Sequence, residues 1–402
     1  YASHYPLCAK LMPGIEKPEI LFLAALFHDI GKGAGGDHSE IGAWEAENFA
    51  LRHRLEKESS ELLVWLVRHH LLMSQTAQRQ DIYDPKIIKH LCQLLPQSYY
   101  LDYLYLLTVA DICATNPMLW NAWKDSLLKE LYQATKHRLH KEQELMDEIS
   151  LVAIRKSYAL DLLIKDGISP DKVQGLWVHF KNKYFLHESP EAIAGHTKAI
   201  LACEQFPLVL ILPHHSQGGT EVFIYMPHRD ERFTITTTVL SNYHVTIQEA
   251  AISICDNQFD LDTYVILDES NQALLNYDKS NSLQKALCYH LGNKAALPSI
   301  SQKRIPRTFA HFKSKIGIAY SDDLLNQHTR LFLITNDRPG LLAVIARIFL
   351  EHHIYLHNAK IATAGESAED MFYITNAQGQ MLTLEEQECL RQNISQKLSR
   401  KT

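Results

Sequence analysis

The chain has 402 residues, a formal net charge of −6 and a hydrophobic fraction of 46%, a size that fits two to four globular domains. The slightly acidic balance argues against a general nucleic-acid binder, which would carry a basic domain or stripe. No apolar run approaches the roughly 18 residues of a membrane-spanning helix, and Tyr1–Pro6 does not resemble a signal peptide. The seven scattered cysteines form no C-x-x-C pair, which fits a reducing cytoplasm.

The first half of the chain is predicted to be helical up to about residue 201. An apolar segment, Ile20–Phe27, precedes a loop with four glycines, and further helices are expected over Glu61–Met73 and Tyr99–Ala114. Asp84 and Pro85 predict another helix start, as N-cap and first helical residue. Three later stretches are also predicted to be helical: Trp120–Ile164, Ser169–Lys183 and Pro190–Gln205.

From about residue 208 the chain changes to alternating and β-branched runs, which predict strands. After a leading strand the order is β-α-β-β-α, and a similar order recurs after a linker. An ungapped alignment of the two copies pairs Thr220 with Thr329 and His244 with His353, which indicates an internal repeat. We predict an all-α domain at 1–205, two α+β ferredoxin-like (βαββαβ) domains at 206–297 and 329–402, and a linker with a strand at 298–328.

Five side chains are candidates for a metal site. His28 and Asp29 end the apolar helix, where two polar side chains are costly unless they have partners. Neighbouring side chains on a helix diverge, so the doublet needs ligands from other segments. His38 follows the glycine loop, His70 shares the inward face of its helix, and Asp111 interrupts an apolar helix. Imidazole and carboxylate groups bind divalent metals, so this set predicts a centre for one or two ions.

The same residues predict the chemistry. A bound metal lowers the pKa of its water from about 15.7 towards about 7, which supplies hydroxide at neutral pH. Lys32 could neutralise charge that grows on a phosphate, so Asp29 and Lys32 are the candidate catalytic residues. Any one of these histidines could be structural, and the His69-His70 pair leaves open which ring faces inward. The combination is what favours a metal-dependent hydrolase.

Three stretches carry a family resemblance: Ala25–Ser39, Val67–Ser74 and Thr108–Thr115. They resemble the HD superfamily of metal-dependent phosphohydrolases, and more closely the bacterial bifunctional PII uridylyltransferase/uridylyl-removing enzymes. The two C-terminal repeats resemble ACT domains. In that family the HD domain removes UMP from a tyrosine of the PII protein, and the tandem ACT domains sense glutamine.

The resemblance implies cofactors and partners. It implies a divalent metal, Mn²⁺ or Mg²⁺ first, with Fe or Zn as alternatives. It also implies uridylylated PII as the substrate and glutamine as the effector, in the cytoplasm. The ACT sheets could also mediate self-association, and neither a nucleic acid nor a membrane is expected as a partner.

The turn that begins at Asn336 is the candidate effector site. Gly340 allows a tight turn there, and backbone N–H groups at a helix start can hold a carboxylate. A plain N-cap followed by a Pro-Gly turn is the alternative. The first copy has His228–Glu231 at this place, without Pro-Gly and with two acids, so we expect a weaker or purely structural site there. Because ACT domains use this turn for amino acids, the resemblance points to Asn336, Asp337, Gly340, Leu341 and Leu342.

Two features depart from the family pattern. No Gly-Ser followed by Asp-x-Asp is present, so the nucleotidyltransferase half is missing from the chain. HD domains take their first ligand histidine from a helix upstream of the doublet, where only His4 occurs, so we expect the chain to begin inside the HD domain. One alternative is therefore a catalytically incomplete glutamine-binding fragment. Another is an HD hydrolase of a small nucleotide such as an alarmone, although those enzymes typically follow the doublet with acidic residues, as HD-x-x-Glu-Asp, whereas Ile30-Gly31-Lys32-Gly33 follows it here.

Overall fold

The computed structural model describes residues 4–116, 120–140, 148–214, 218–293, 297–300, 316–324, 326–338, 340–364 and 367–399. The chain divides into two compact units between Asp147 and Glu148. The helices that the structure describes include none that is both long and apolar enough to cross a membrane.

The first unit is all-helical in its described part, as predicted. Its central helix is α7, which is buried along most of its length and contacts α1, α2, α4, α5 and α8. The predicted cap is confirmed at α6, where the Asp84 side chain accepts a hydrogen bond from the backbone N–H of Lys86. A 3-10 helix covers Met12–Gly14, and the α-helices are α1 Pro6–Leu11, α2 Pro18–Phe27, α3 His38–Arg52, α4 Lys57–Arg68, α5 Leu72–Arg79, α6 Pro85–Leu94, α7 Tyr100–Thr115 and α8 Ala122–His140.

The second unit begins with four helices and continues as two α+β repeats. We predict these four helices as part of the first domain, at 1–205. The division into compact units groups them with the repeats instead. The predicted domain bounds remain a prediction. The elements are α9 Glu148–Lys165, α10 Pro170–Trp177, α11 Asn182–His187, α12 Pro190–Ala202, β1 Leu208–His214, β2 Gly219–Pro227, α13 Arg232–Asn242, β3 Thr246–Ile254, β4 Phe259–Leu267, α14 Tyr277–Gly292, β5 Gly317–Asp323, β6 His328–Asn336, α15 Leu341–Glu351, β7 Tyr355–Ala364, β8 Ser367–Thr375 and α16 Leu384–Ser399.

One antiparallel sheet of eight strands runs through both repeats, in the order β1-β2-β4-β3-β7-β8-β6-β5. The repeats join at its centre, where β3 pairs with β7 and Ala250 lies opposite Ala359. Apolar residues of α13–α16 pack on one face and form a single core with the strands. On the other face of the first repeat, the His196 ring of α12 stacks on Phe223 of β2 at 3.9 Å.

Matching hydrogen bonds in the two copies support the internal repeat. The Thr220 hydroxyl accepts from the backbone N–H of Leu274 at 2.7 Å, and the Thr329 hydroxyl accepts from that of Leu382 at 2.8 Å. The register of β3 against β4 shifts at the same place as that of β7 against β8. The fold class is therefore the predicted one.

The strand order differs in one detail from the predicted βαββαβ. Each described repeat is ββαββα, because β1 and β5 come before the first helix of their repeat. These strands pair with β2 and β6 and form the two edges of the sheet. In a βαββαβ repeat, the final strand would lie beside the first strand. Here β1 takes that place beside β2, and β5 takes it beside β6.

Replacing Thr329 with Val should destabilise the second unit by about 1–3 kcal/mol, because the buried N–H of Leu382 would lose its acceptor. Urea unfolding followed by circular dichroism measures this change. Thr246→Val is the matched control at an exposed position, with an expected change within about 0.5 kcal/mol. Equal midpoints for the two variants would contradict the role given to this hydrogen bond.

Candidate functional site

The end of α2 and the start of α3 meet at Gly31. A Cβ atom at Gly31 would lie 2.6 Å from the carbonyl oxygen of His38 and 2.9 Å from the Cβ of Ile41. Glycine at this position therefore permits the close approach of two backbone segments. The Asp37 side chain caps α3 by accepting from the backbone N–H of Ser39. These local features bring His38, at the first turn of α3, towards the residues that follow α2.

The five predicted ligands converge around Asp29. The Nε2 atom of His28 lies 3.3 Å from Asp29 Oδ2 and 3.3 Å from Asp111 Oδ1. The Nε2 atoms of His38 and His70 lie 3.8 Å and 3.9 Å from Asp29 Oδ1. Four segments therefore deliver these side chains to one place: the end of α2, the start of α3, the turn after α4, and α7.

Backbone carbonyls orient two of the imidazole rings. The Nδ1 atoms of His28 and His70 each lie 2.8 Å from a carbonyl oxygen, those of Ala25 and Val67 respectively. A carbonyl only accepts hydrogen bonds, so Nδ1 carries the proton and Nε2 presents its lone pair. Metal-binding histidines typically have their other ring nitrogen held by a hydrogen bond in this way, which fixes the orientation of the ring.

The donor set fits a divalent metal. The Nε2 atoms of His28, His38 and His70 are buried and have no hydrogen-bond partner within the described part of the chain, which is costly for a polar atom that nothing engages. Ligand atoms lie within 4.8 Å of one another in two groups: one is Asp29, His38 and His70, and the other is His28, Asp29 and Asp111. Asp29 belongs to both groups, so it would contribute to holding a metal at either of them.

Contacts and burial within the centre shift the pKa values of His28, His70 and Asp111. The contact of His28 with the Asp111 carboxylate, at 3.3 Å, raises the pKa of His28 above its ordinary 6.5, and the same contact lowers the pKa of Asp111. Burial lowers the pKa of His70, which therefore stays neutral and able to bind a metal. Lys32 donates to Asp29 Oδ2 at 2.6 Å, and 61% of its side chain is exposed. Lys32 thus lies at the solvent side of the centre.

The structure also separates neighbouring candidates from the centre. The His69 ring packs against Trp65 instead, in a tilted arrangement with 4.8 Å between ring centroids. Of the adjacent pair, it is therefore His70 that reaches the other ligands. His4 belongs to neither ligand group. The carbonyls of Ala25 and Val67 were not predicted from the sequence, where helical spacing is the available signal for them. Thr115 was not predicted either; its hydroxyl donates to Asp111 one helical turn away.

The predicted effector residues lie in the second unit, at the turn between β6 and α15. Asn336 ends the strand, and Gly340 is the N-cap of α15 with a φ of +79°, a conformation that favours glycine. Leu341 and Leu342 begin the helix, and Leu341 is buried. Pro339 of the predicted motif lies outside the described residues.

Comparison with known proteins gives two family matches. The HD domain family matches residues 5–116, and the family described as uridylyltransferase GlnD fifth domain matches residues 147–199. The bifunctional uridylyltransferase/uridylyl-removing enzyme of Legionella pneumophila (strain Lens) is 66% identical over 400 residues, which are 100% of this chain and 46% of that protein. The enzyme of the same name from Ectopseudomonas mendocina (strain ymp) is 44% identical over 389 residues, which are 95% of this chain and 43% of that protein.

This chain is homologous to the bifunctional uridylyltransferase/uridylyl-removing enzymes. The resemblance predicted from its motifs is confirmed, and the chain spans about half the length of these curated relatives. A crystal structure of aspartate kinase from Synechocystis covers 46% of this chain and 28% of its own, at 14% identity and a TM-score of 0.27, a likeness too low to support an argument.

Replacing Gly31 with Ala should weaken Mn²⁺ binding at least about tenfold and destabilise the first unit by about 1–3 kcal/mol. The added Cβ would push the start of α3, and with it His38, away from Asp29. Isothermal titration calorimetry with MnCl₂ measures the affinity. Gly14→Ala is the control, since nothing lies within 4 Å of a Cβ there. Unchanged affinity in Gly31→Ala would show that the close approach does not position the ligands.

Lowering the pH should weaken metal binding through His28. A protonated imidazole cannot bind a metal, and the pKa of His28 is raised by Asp111. Affinity should therefore be full above this raised pKa and fall by up to about tenfold per pH unit below it, for one displaced proton. Mn²⁺ titrations between about pH 8 and about pH 6 measure the slope. A flat profile over this range would exclude His28 as a ligand.

Proposed function

We propose that this chain hydrolyses the phosphodiester bond between UMP and a tyrosine of uridylylated PII protein. The observation that carries the proposal is the convergence of His28, His38 and His70 on Asp29, with their buried Nε2 atoms unpartnered in the described structure. Asp111 completes the proposed ligand set. The names of the relatives supply the substrate class, since these enzymes are called uridylyl-removing.

The chain's own residues prepare the reaction. When bound, a divalent metal supplies an activated water and stabilises charge on the phosphate oxygens. Asp29 lies between both ligand groups, so it fixes their relative positions. Lys32 could exchange its contact with Asp29 for a non-bridging phosphate oxygen, because its side chain is mostly exposed. That contact would strengthen as negative charge develops on the phosphate.

We also propose that glutamine regulates the reaction through the turn of the second repeat, at Asn336, Asp337, Gly340, Leu341 and Leu342. The N-terminus of a helix suits a carboxylate, and Gly340 at the start of α15 has the left-handed conformation that a tight turn requires. Strands β1 and β5 lie at the sheet edges, where a second copy could pair. All seven cysteines are free thiols, which is in keeping with a cytoplasmic location.

A second candidate is a glutamine-binding regulatory segment without hydrolase activity. One observation favours it: His4, the only histidine upstream of the doublet, belongs to neither ligand group. The centre would then bind metal with a shell that lacks one histidine. Metal binding without hydrolysis distinguishes this candidate from the first.

The test is release of UMP from uridylylated PII by this chain with Mn²⁺, with and without glutamine. We expect release that rises with glutamine, and a loss of at least about 100-fold in Asp29→Asn, which removes the shared ligand. Glu47→Gln is the control, since Glu47 is an exposed carboxylate on α3 outside both ligand groups. Mn²⁺ binding with no release of UMP would overturn the hydrolase proposal and favour the regulatory one.

A further inference from the structure

The helix α2, which leads into the metal ligands, has an exposed apolar face. Its inward side contacts α3, α4 and α7. The buried residues on that side are Ile20, Leu21, Ala24 and Phe27. Phe22 and Leu26 lie one helical turn apart on the outward side, and they are 65% and 68% exposed. Ile30 follows four residues after Leu26 and is 53% exposed. We name Phe22, Leu26 and Ile30 the α2 stripe.

An apolar outward face is unusual for a helix at the surface of a globular protein, which normally turns charged and polar side chains to water. The neighbouring helix α4 follows this rule, because its exposed residues are Lys57, Glu58 and Glu61. In the ten residues of α2, Glu19 is the one charged side chain. Single apolar side chains on a surface need no explanation, whereas three in one line favour contact with a partner.

The stripe ends at the metal centre. The chain keeps turning beyond α2, since the backbone N–H of Ile30 donates to the carbonyl of Phe27 at 3.1 Å. Ile30 directly follows Asp29, which belongs to both ligand groups. At 1.5 Å per residue, Phe22 lies about 9 Å along the helix from His28. The stripe is therefore a line of apolar surface that leads away from the predicted place of phosphodiester cleavage.

The substrate proposed above would bring a protein surface to this place. Its scissile bond joins UMP to a tyrosine, so the residues next to that tyrosine must lie close to the metal centre during the reaction. An extended segment spans about 3.3 Å per residue, so about three residues are enough to follow the stripe from Ile30 to Phe22. Apolar and aromatic side chains are typical anchors of protein interfaces. The UMP group is polar and charged, so the stripe suits the protein part of the substrate.

We propose that the α2 stripe is the docking surface for the tyrosine-bearing segment of uridylylated PII protein. This inference rests on the hydrolase function proposed above. Ile30 contacts the segment close to the modified tyrosine, and Leu26 and Phe22 contact residues further along it. The stripe thereby sets the affinity for the protein substrate, whereas the metal ligands and Lys32 act on the phosphodiester.

The test separates docking from chemistry with two substrates, uridylylated PII and the p-nitrophenyl ester of UMP, which contains no protein. Phe22→Ser and Leu26→Ser should each raise KM for uridylylated PII at least about fivefold, because each removes apolar surface that the complex buries. The kcat for PII should stay within about twofold, as expected when binding alone is lost. KM for the small ester should not rise in parallel, and Leu26→Met should keep the KM of wild type for PII.

Leu51→Ser is the matched control. Leu51 is 70% exposed, like Leu26, but it lies near the far end of α3, about 20 Å along that helix from His38. KM for uridylylated PII should stay within about twofold in this variant. A rise equal to that of Leu26→Ser would show that apolar surface in general, and not the stripe, binds PII, and would overturn the proposal.

Binding is also measured without hydrolysis, by isothermal titration calorimetry of unmodified PII into the Mn²⁺-loaded chain. Phe22→Ser should weaken this binding at least about fivefold. This arm gives an answer even if the chain releases no UMP, so the docking and hydrolase proposals fail separately. Unchanged affinity and KM in both serine variants, an equal loss on the small ester, or no binding of PII by wild type would overturn the proposal.

Sedimentation velocity tests the other occupant of the stripe, a second copy of this chain. We expect the same sedimentation coefficient for wild type and Leu26→Ser. A wild-type dimer that Leu26→Ser dissociates, together with unchanged affinity for PII, would assign the stripe to self-association and overturn the proposal.

Discussion

A carboxylate taken out of water must meet a cation, hydrogen-bond donors or a metal, and this constraint shapes both units of the chain. In the first unit, Asp29 and Asp111 are half-buried among histidines whose Nε2 atoms point at them. In the second unit, Asp262 meets Arg232, and Asp370 accepts from the backbone N–H of Ala362. In the first unit, the unpartnered Nε2 atoms of the described histidines lie where a metal is expected.

The two repeats share one fold but differ in the residue that faces a buried carboxylate. Their turns, bulges and buried threonine hydrogen bonds match in detail. The difference lies in a single helix position, which holds Arg232 in one copy and Leu341 in the other. An internal guanidinium meets the buried carboxylate of the first repeat, and a leucine stands at the equivalent helix position of the second.

Local patterns predicted the elements well because periodicity and capping act over a few residues. The Asp84-Pro85 helix start and the all-α then α+β order follow directly from such signals. Local patterns could not predict where β1 and β5 lie in the sheet. Their edge positions depend on which strands they pair with, and only the tertiary structure shows that pairing. Likewise the helices α9–α12 have the same composition as the bundle before them, yet they belong to the second compact unit.

The sequence by itself determined the ligand types, because histidines and aspartates beside or within apolar helices need partners wherever they lie. His28, Asp29, His38, His70 and Asp111 were all named from that argument. Only the tertiary structure decided that they converge, since their segments are up to about 80 residues apart and Gly31 must let two helices approach. It alone decided between His69 and His70, which differ by one step around a turn. It alone showed that Asp370 is buried at the position equivalent to Asp262, because the sequence of a strand does not show which of its residues are buried.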